Sequence, residues 1–301
     1  MSLDMSQENS AGLMWPIQRI LQDARQEMNT PVVLEEPLEI VVNGLSIATL
    51  MRMPGQEKEL AAGFCVSEGY VRRVQDILLI HHCGLGHPAP GESVAGEIPE
   101  SRNRIELRVA EQGFSPPARP EVMRLIRSGC GAADVSAMSA SLPRINRPLT
   151  VPSTVLLGLG KAMRDDQTVH QQVGGTHAAA VFDADGRIVA LGEDIGRHNA
   201  VDKVIGSCLF RGVPLGDKVL VTSGRASYEV AVKAIRVGLP IIATISAPTA
   251  LAVQLAQDRG LTLIGYLRGG RMNVYTHARR VVNEQGNYPF PPCDVQVQIK
   301  R

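Results

Sequence analysis

Apolar and polar positions follow two different rhythms on either side of Val151. Before it, short apolar runs (PVVL, EIVVNG and SIATLMRM) alternate with turn residues, and Asn43-Gly44 between two of them is a type I′ hairpin signal. A helical run over 57–66 follows, and later a strand, RIELRVA. Residues 83–103 (CGLGHPAPGESVAGEIPESRN) and the segment QGFSPPARP read as surface loops from their Gly, Pro and Glu content. Residues 1–28 read as a polar arm with one helical stretch over 17–27.

After Val151 the pattern becomes regular. A helix over 153–164 precedes two apolar-rich strands, 178–183 and 187–193, joined by the hairpin signal Asp185-Gly186. Next come a helix over 199–210, a strand KVLVTS, a helix over 226–237, a strand PIIATIS and a helix over 249–258. A strand TLIGYL and a short strand over 272–275 complete the series. Helices between successive strands predict right-handed crossovers and a largely parallel sheet sandwiched by helices. The chain therefore divides into an arm (1–28), a smaller α/β domain (29–145) and a larger α/β domain (146–301).

Composition narrows the function classes. With 301 residues, 44% hydrophobic and 20% charged, the chain is long enough to bury a sizeable core. A formal charge of +1 argues against a broad footprint for nucleic acid, though not against a local phosphate site. No apolar run approaches the roughly 18 residues that span a bilayer, so no membrane association is expected. The start, MSLDMSQENSAGLMWPIQ, lacks the basic and apolar regions of a secretory signal. Cys65, Cys83, Cys130, Cys208 and Cys293 are widely spaced and form no CxxC pair, which argues against a disulfide framework or a cysteine zinc site. The expected compartment is the reducing cytoplasm, with any special thiol acting alone.

Candidate chemistry gathers at strand-to-helix junctions. Residues 174–203 run from Gly-Gly-Thr-His through the hairpin into a polar cluster of Asp194, Arg197, His198, Asn199, Asp202 and Lys203. The turns TSGRAS and SAPTA each follow a buried strand and open a helix, where ligands bind in open α/β sheets. Ser223, Gly224, Arg225 and Ser227 suit a phosphate or a guanine edge, while helix capping by Ser223 or Ser246 accounts for either loop alone. In Tyr266-Leu267-Arg268-Gly269-Gly270-Arg271, guanidinium forks flank a pair that permits close backbone approach; a hairpin turn with exposed arginines reads equally well. Cys130 lies between Gly129 and Gly131 with Arg124 and Arg127 nearby, the setting of an exposed thiolate, whereas Cys65 and Cys208 lie on apolar helices and read as packing. His177 is followed by Ala-Ala-Ala and no P-C-x-x-C exists, so the ligands and catalytic acid of a zinc deaminase are absent.

Together, EEPLEIVVNG, MRMPG with ELAAGF and SEGY, GGTHAAA with GEDIGRHNAVDK, TSGRASYE, SAPTALAVQLA and LTLIGYLRGGRMNVYTH closely resemble the FdhD family of formate dehydrogenase accessory sulfur carriers. The resemblance implies a cytidine-deaminase-like three-layer α/β/α domain without the zinc site, plus a smaller N-terminal α/β domain. It implies a sulfurtransferase that takes persulfide sulfur from a cysteine desulfurase on Cys130 and passes it to the bis(molybdopterin guanine dinucleotide) cofactor destined for formate dehydrogenase. Cofactor contacts are implied at Tyr266, Leu267, Arg268, Gly269, Gly270 and Arg271, with Ser223, Gly224, Arg225, Ser246, His177, Asp194, Arg197 and His198 completing the pockets. Two guanine nucleotides on one cofactor suit a twofold homodimer. The family's carrier loop reads C-G-x-C, but here Ala133 replaces the second cysteine. That departure leaves room for a non-catalytic chaperone that binds and presents the cofactor.

Overall fold

A computed structural model describes residues 12–82, 103–116 and 141–287. Strands β1 (Gly12–Leu21) and β2 (Ala24–Val33) form a two-stranded antiparallel ribbon turning at Gln22, where φ is 47°. This corrects the helix expected over 17–27. Ile17, Ile20 and Leu21 have helical spacing, yet backbone pairing with β2 satisfies their peptide groups and leaves Ile20 and Leu21 exposed.

The Asn43-Gly44 turn has φ values of 50° and 81°, the type I′ geometry its sequence predicts, and joins β3 (Glu36–Val42) to β4 (Leu45–Arg52). Helix α1 (Glu57–Glu68) follows, then β5 (Ile77–His82) and β6 (Arg104–Val109). These strands make a sheet of order β4-β3-β6-β5, in which β3 and β6 run parallel. Helix α1 packs Leu60, Phe64 and Cys65 onto Leu38, Ile40, Ile105 and Leu107 of that sheet.

The second half begins with β7 (Val151–Pro152), α2 (Ser153–Asp165) and α3 (Thr168–Val173). It continues as β8 (His177–Phe182), β9 (Ile188–Asp194), α4 (Arg197–Phe210), β10 (Val219–Thr222), α5 (Tyr228–Arg236), β11 (Ile241–Thr244), α6 (Ala250–Arg259), β12 (Thr262–Arg268) and β13 (Arg271–Val274). A short β14 (Val281–Val282) pairs with β7. The main sheet has the order β13-β12-β11-β10-β8-β9. Only β10–β11 and β11–β12 are parallel; β8 is antiparallel to β10, and both edge pairs are antiparallel hairpins. The largely parallel sheet expected from the helix spacing is thus confined to its centre, because the short connections β8–β9 and β12–β13 join antiparallel neighbours and β8 adds to β10 in the antiparallel sense.

Alternate side chains of this sheet face opposite layers. Ala178, Ala180, Phe182, Val219 and Val221 meet Leu156, Leu159 and Met163 of α2. Ala179, Val181, Leu220 and Ile242 meet α4, α5 and α6. The two sheets are joined through α1 and α4, which touch backbone to backbone: a β-carbon on Gly63 would collide with the Asp202 carbonyl, and one on Gly206 with that of Glu59. Across the same contact, Lys233 pairs with Asp202 at 2.9 Å and Glu68 at 2.6 Å. Burial works against the Lys233 charge, but the two carboxylates prevail and push its pKa up.

Candidate functional site

The polar cluster after β9 splits into two groups. Asp194 is fully buried, pairs with Lys203 at 2.8 Å, and accepts hydrogen bonds from Met53 N, Gly196 N and Asn199 Nδ2. Asn199 Nδ2 also donates to Met51 O, and Lys203 Nζ to Met53 O and Glu193 O. Asp194, Asn199 and Lys203 therefore fasten the end of β4 to α4, while Asp202, also on α4, is bound by Ser67 of α1 and Lys233 of α5. Arg197 and His198 remain partly exposed at the start of α4. Arg197 lies across Gly224, and its Nε is buried without a hydrogen-bond partner. His198 Nε2 is 3.0 Å from Glu229 Oε2 and 3.3 Å from Ser227 Oγ.

The two strand-to-helix loops run side by side. Ile245 N donates to Thr222 O, Thr249 N donates to Ala226 O, and Ala226 bridges Pro248. The caps of α5 and α6 are Ser227, which accepts from Val230 N, and Thr249, which accepts from Ala252 N. Ser223 and Ser246 cap neither helix. Ser223 Oγ instead accepts from Ala178 N at 3.0 Å and lies 3.1 Å from His177 Nδ1. Ser246 uses its carbonyl, which accepts from Tyr266 N and Thr244 Oγ1. Gly224 is buried and Arg225 exposed.

Tyr266 carries a left-handed φ of 55° where β12 bulges between Gly265 and Arg268. Such a backbone stores strain in a residue with a β-carbon and aims its side chain away from the regular alternation. The Arg268 guanidinium is 5.7 Å from the Tyr266 ring centre. Gly269 and Gly270 have φ of 61° and 71°, so the segment is a hairpin turn, with Arg268 and Arg271 paired and exposed beside it and Leu267 buried.

A cleft of about 220 Å³ opens between α2 and the carboxyl ends of β10 and β11, lined among others by Arg164, Gln167, His170, Thr176, His177 and Ser223. Glu193 organises one wall: its carboxylate accepts from Val169 N, His170 N and Thr176 Oγ1. Because the Thr176 proton goes to Glu193, the 3.3 Å contact of Thr176 Oγ1 with His170 Nδ1 requires a proton on that nitrogen. Burial holds His177 below the ordinary histidine pKa, reinforced by Arg197, His198 and His170 and opposed by Asp194. The cleft is thus lined by one arginine and two histidines, and the carboxylates of Glu193 and Asp194 beside it are engaged by other partners.

Arg164, Gln167, His170, Thr176 and Glu193 were not singled out from the sequence; α3, only six residues long, is too short for periodicity to reveal. The expected carrier, Cys130, lies outside the described residues, as do Cys83, Cys293 and the loop over 83–102. Of the described cysteines, Cys65 and Cys208 are free and buried, and burial pushes both thiols up, Cys208 to about 11. Among the described residues, no group of three His, Cys, Asp or Glu side chains is arranged to hold a metal ion. No helix there is long and apolar enough to cross a membrane.

This mixed α/β chain, with a cleft at the carboxyl ends of β10 and β11, matches the family model described as FdhD/NarQ over residues 33–282. It is 40% identical to the sulfur carrier protein FdhD of Mycobacterium tuberculosis over 262 residues, covering 83% of this chain and 91% of that protein. Identity to the protein of the same name from Streptomyces coelicolor is 40% over 270 residues, covering 87% and 93%. A crystal structure described as a formate dehydrogenase accessory protein from Desulfotalea psychrophila superposes with a TM-score of 0.71 at 26% identity, covering 90% of this chain and all of that one. The chain belongs to the FdhD/NarQ family.

Proposed function

We propose that this protein is a sulfurtransferase that carries persulfide sulfur on Cys130 from a cysteine desulfurase to the bis(molybdopterin guanine dinucleotide) cofactor required by formate dehydrogenase. The Cys130 thiolate attacks the terminal sulfur of the donor persulfide, a sulfur–sulfur bond forms on Cys130, and the donor cysteine leaves as its thiol. The observation that carries this assignment is the state of Cys65 and Cys208: both are buried with thiols pushed up, so neither supplies a thiolate near neutral pH. Of the remaining cysteines, Cys130 alone has a glycine on both sides.

The edge of the main sheet is the proposed hold on the cofactor, which is substrate here. A cleft of about 220 Å³ is smaller than the roughly 300–1,000 Å³ of a drug-sized ligand site, so it takes one phosphate-bearing end of the molecule. His177 and Ser223 line the cleft and Arg197 lies across Gly224 beside them, a set that fits a phosphate, while His198 stands at the start of α4 and Arg225 and Ser246 on the adjoining loops. The exposed Tyr266–Arg271 hairpin, through Arg268, Gly269, Gly270 and Arg271, is the proposed second contact, with Leu267 buried behind it. Asp194 contributes by holding the start of α4 in place. A three-layer core like that of the cytidine deaminases, a cytoplasmic setting and a twofold dimer complete the proposal, the last measurable by sedimentation.

The test is intact-protein mass spectrometry after incubation with a cysteine desulfurase and cysteine. A gain of one sulfur in the parent, retained by Cys65→Ala and Cys208→Ala and lost in Cys130→Ala, is the expected result. No gain, with guanine nucleotide still bound, would replace this reading with that of a cofactor-presenting chaperone, which the alanine at 133 favours.

A further inference from the structure

We infer that the cleft takes up a proton together with a phosphate-type anion, His177 being the group that accepts it and the Ser223 hydroxyl the group that turns to the ligand. The inference rests on the guanine-nucleotide reading above and adds the protonation step to it.

The geometry around Ser223 Oγ allows two hydrogen-bond patterns. The oxygen accepts from Ala178 N at 3.0 Å and stands 3.1 Å from His177 Nδ1. When Nδ1 is unprotonated, it accepts the Ser223 proton, and the hydroxyl is turned towards the histidine. When protonation puts a proton on Nδ1 as well as Nε2, Nδ1 donates to Ser223 Oγ; the neutral Nδ1–H tautomer makes the same bond without taking up a proton, so the measured uptake is what separates the two. Both lone pairs of the oxygen are then occupied, by Ala178 N–H and His177 Nδ1–H, and its own proton must point elsewhere. Ser223 and His177 both line the cleft, so a phosphate oxygen there is an available acceptor. One solvent proton joins His177, only an N–H bond forms, and nothing is oxidised or reduced.

The surrounding charges set the starting state. Arg197 and His198 face His177 from α4, His170 from α3, and Arg164 lines the same cleft from α2. On the acidic side, Asp194 is paired with Lys203, and Glu193 is held by the α3 backbone and Thr176. Through partial burial first, and then those positive neighbours, His177 favours its neutral form. A dianion entering the cleft reverses the sign of the local field and stabilises the imidazolium.

Calorimetric titration of the full chain with GDP, in two buffers of different ionisation enthalpy, reads this directly. Expected is net proton uptake on binding, with affinity falling by up to about tenfold per unit rise in pH near neutrality. His177→Asn, which keeps a polar partner for Ser223, should bind GDP without that uptake, whereas His170→Asn should retain it. Inorganic pyrophosphate should reproduce the uptake; uptake with guanosine, which has no phosphate, would overturn the inference. Equal heats in both buffers would overturn it while leaving the guanine-nucleotide reading intact, and uptake persisting in His177→Asn would remove His177 from the role. Absence of GDP binding at every pH would overturn the nucleotide reading and this inference together. The parent protein decides the buffer comparison even if a variant does not fold.

Discussion

His177 Nδ1 and Ser223 Oγ meet at 3.1 Å where β8 begins and β10 ends. Antiparallel pairing of those strands sets Ala179 opposite Thr222, so the residues just outside the ladder are brought together by backbone register. Two side chains 46 positions apart thus share one hydrogen-bond geometry fixed by the sheet.

Removing the Ser223 hydroxyl leaves the Ala178 N–H without its acceptor. Ser223→Ala should lower unfolding free energy by about 1–3 kcal/mol, the cost of an unsatisfied buried donor. Urea unfolding checks this, with Ser223→Thr as the variant that keeps the oxygen. Unchanged stability in Ser223→Ala would show that the hydroxyl does not support the strand.

The lowered pKa of His177 has a defined pH signature. Burial, then Arg197, His198 and His170, places its folded value below 6.5, so between the two values the unfolded chain binds more protons. Stability is unaffected by this group above that window and falls as pH drops through it. The urea midpoint of the parent should therefore decline more steeply on acidification below about pH 6.5 than that of His177→Asn. Parallel curves would refute the depressed value.

Lys233 neutralises a buried carboxylate, and its loss should be felt strongly. Lys233→Ala leaves Asp202 buried without its cation, at an expected cost of about 3–5 kcal/mol. Lys233→Met combined with Asp202→Leu should cost less, since only the partly exposed Glu68 carboxylate then loses its cation. Equilibrium denaturation of both variants distinguishes a needed ion pair from passive packing.

Much of this architecture was legible from local chemistry. The Asn43-Gly44 turn, the hairpin around Asp185-Gly186 and the helices after β10 and β11 follow from turn propensity and apolar spacing. The ribbon of β1 and β2 was not, because Ile17, Ile20 and Leu21 have helical spacing and pairing with the segment that follows, Ala24–Val33, overrides it. Nor could spacing show that Asp194 and Lys203 neutralise each other while Arg197, three residues from Asp194, keeps a buried unpartnered nitrogen. Position in sequence is one-dimensional, and the division between fastening and binding depends on which way each side chain leaves the start of α4. Residue type alone leaves capping by Ser223 or Ser246 open beside a ligand role; Ser227 and Thr249, a few residues on, have the backbone geometry to cap.

The contact between α1 and α4 makes a sharper demand than any polar pair. A methyl group at Gly63 would collide with the Asp202 carbonyl, which belongs to a helix backbone and has little freedom to move. Gly63→Ala should therefore destabilise by about 3 kcal/mol or more through overpacking, measured by thermal unfolding. A stability equal to the parent would mean that the helices separate without penalty.

Those reciprocal glycines also limit how the chain can be rearranged. Gly63 lies in the half that carries the four-stranded sheet, and Gly206 in the half that carries the cleft. A hybrid joining the first half of one relative to the second half of another would dock only if both parents supply a residue without a side chain at the crossing. The two halves are therefore interchangeable between relatives only as matched pairs, and a library of spliced chains would sort into folded and unfolded members according to these two positions.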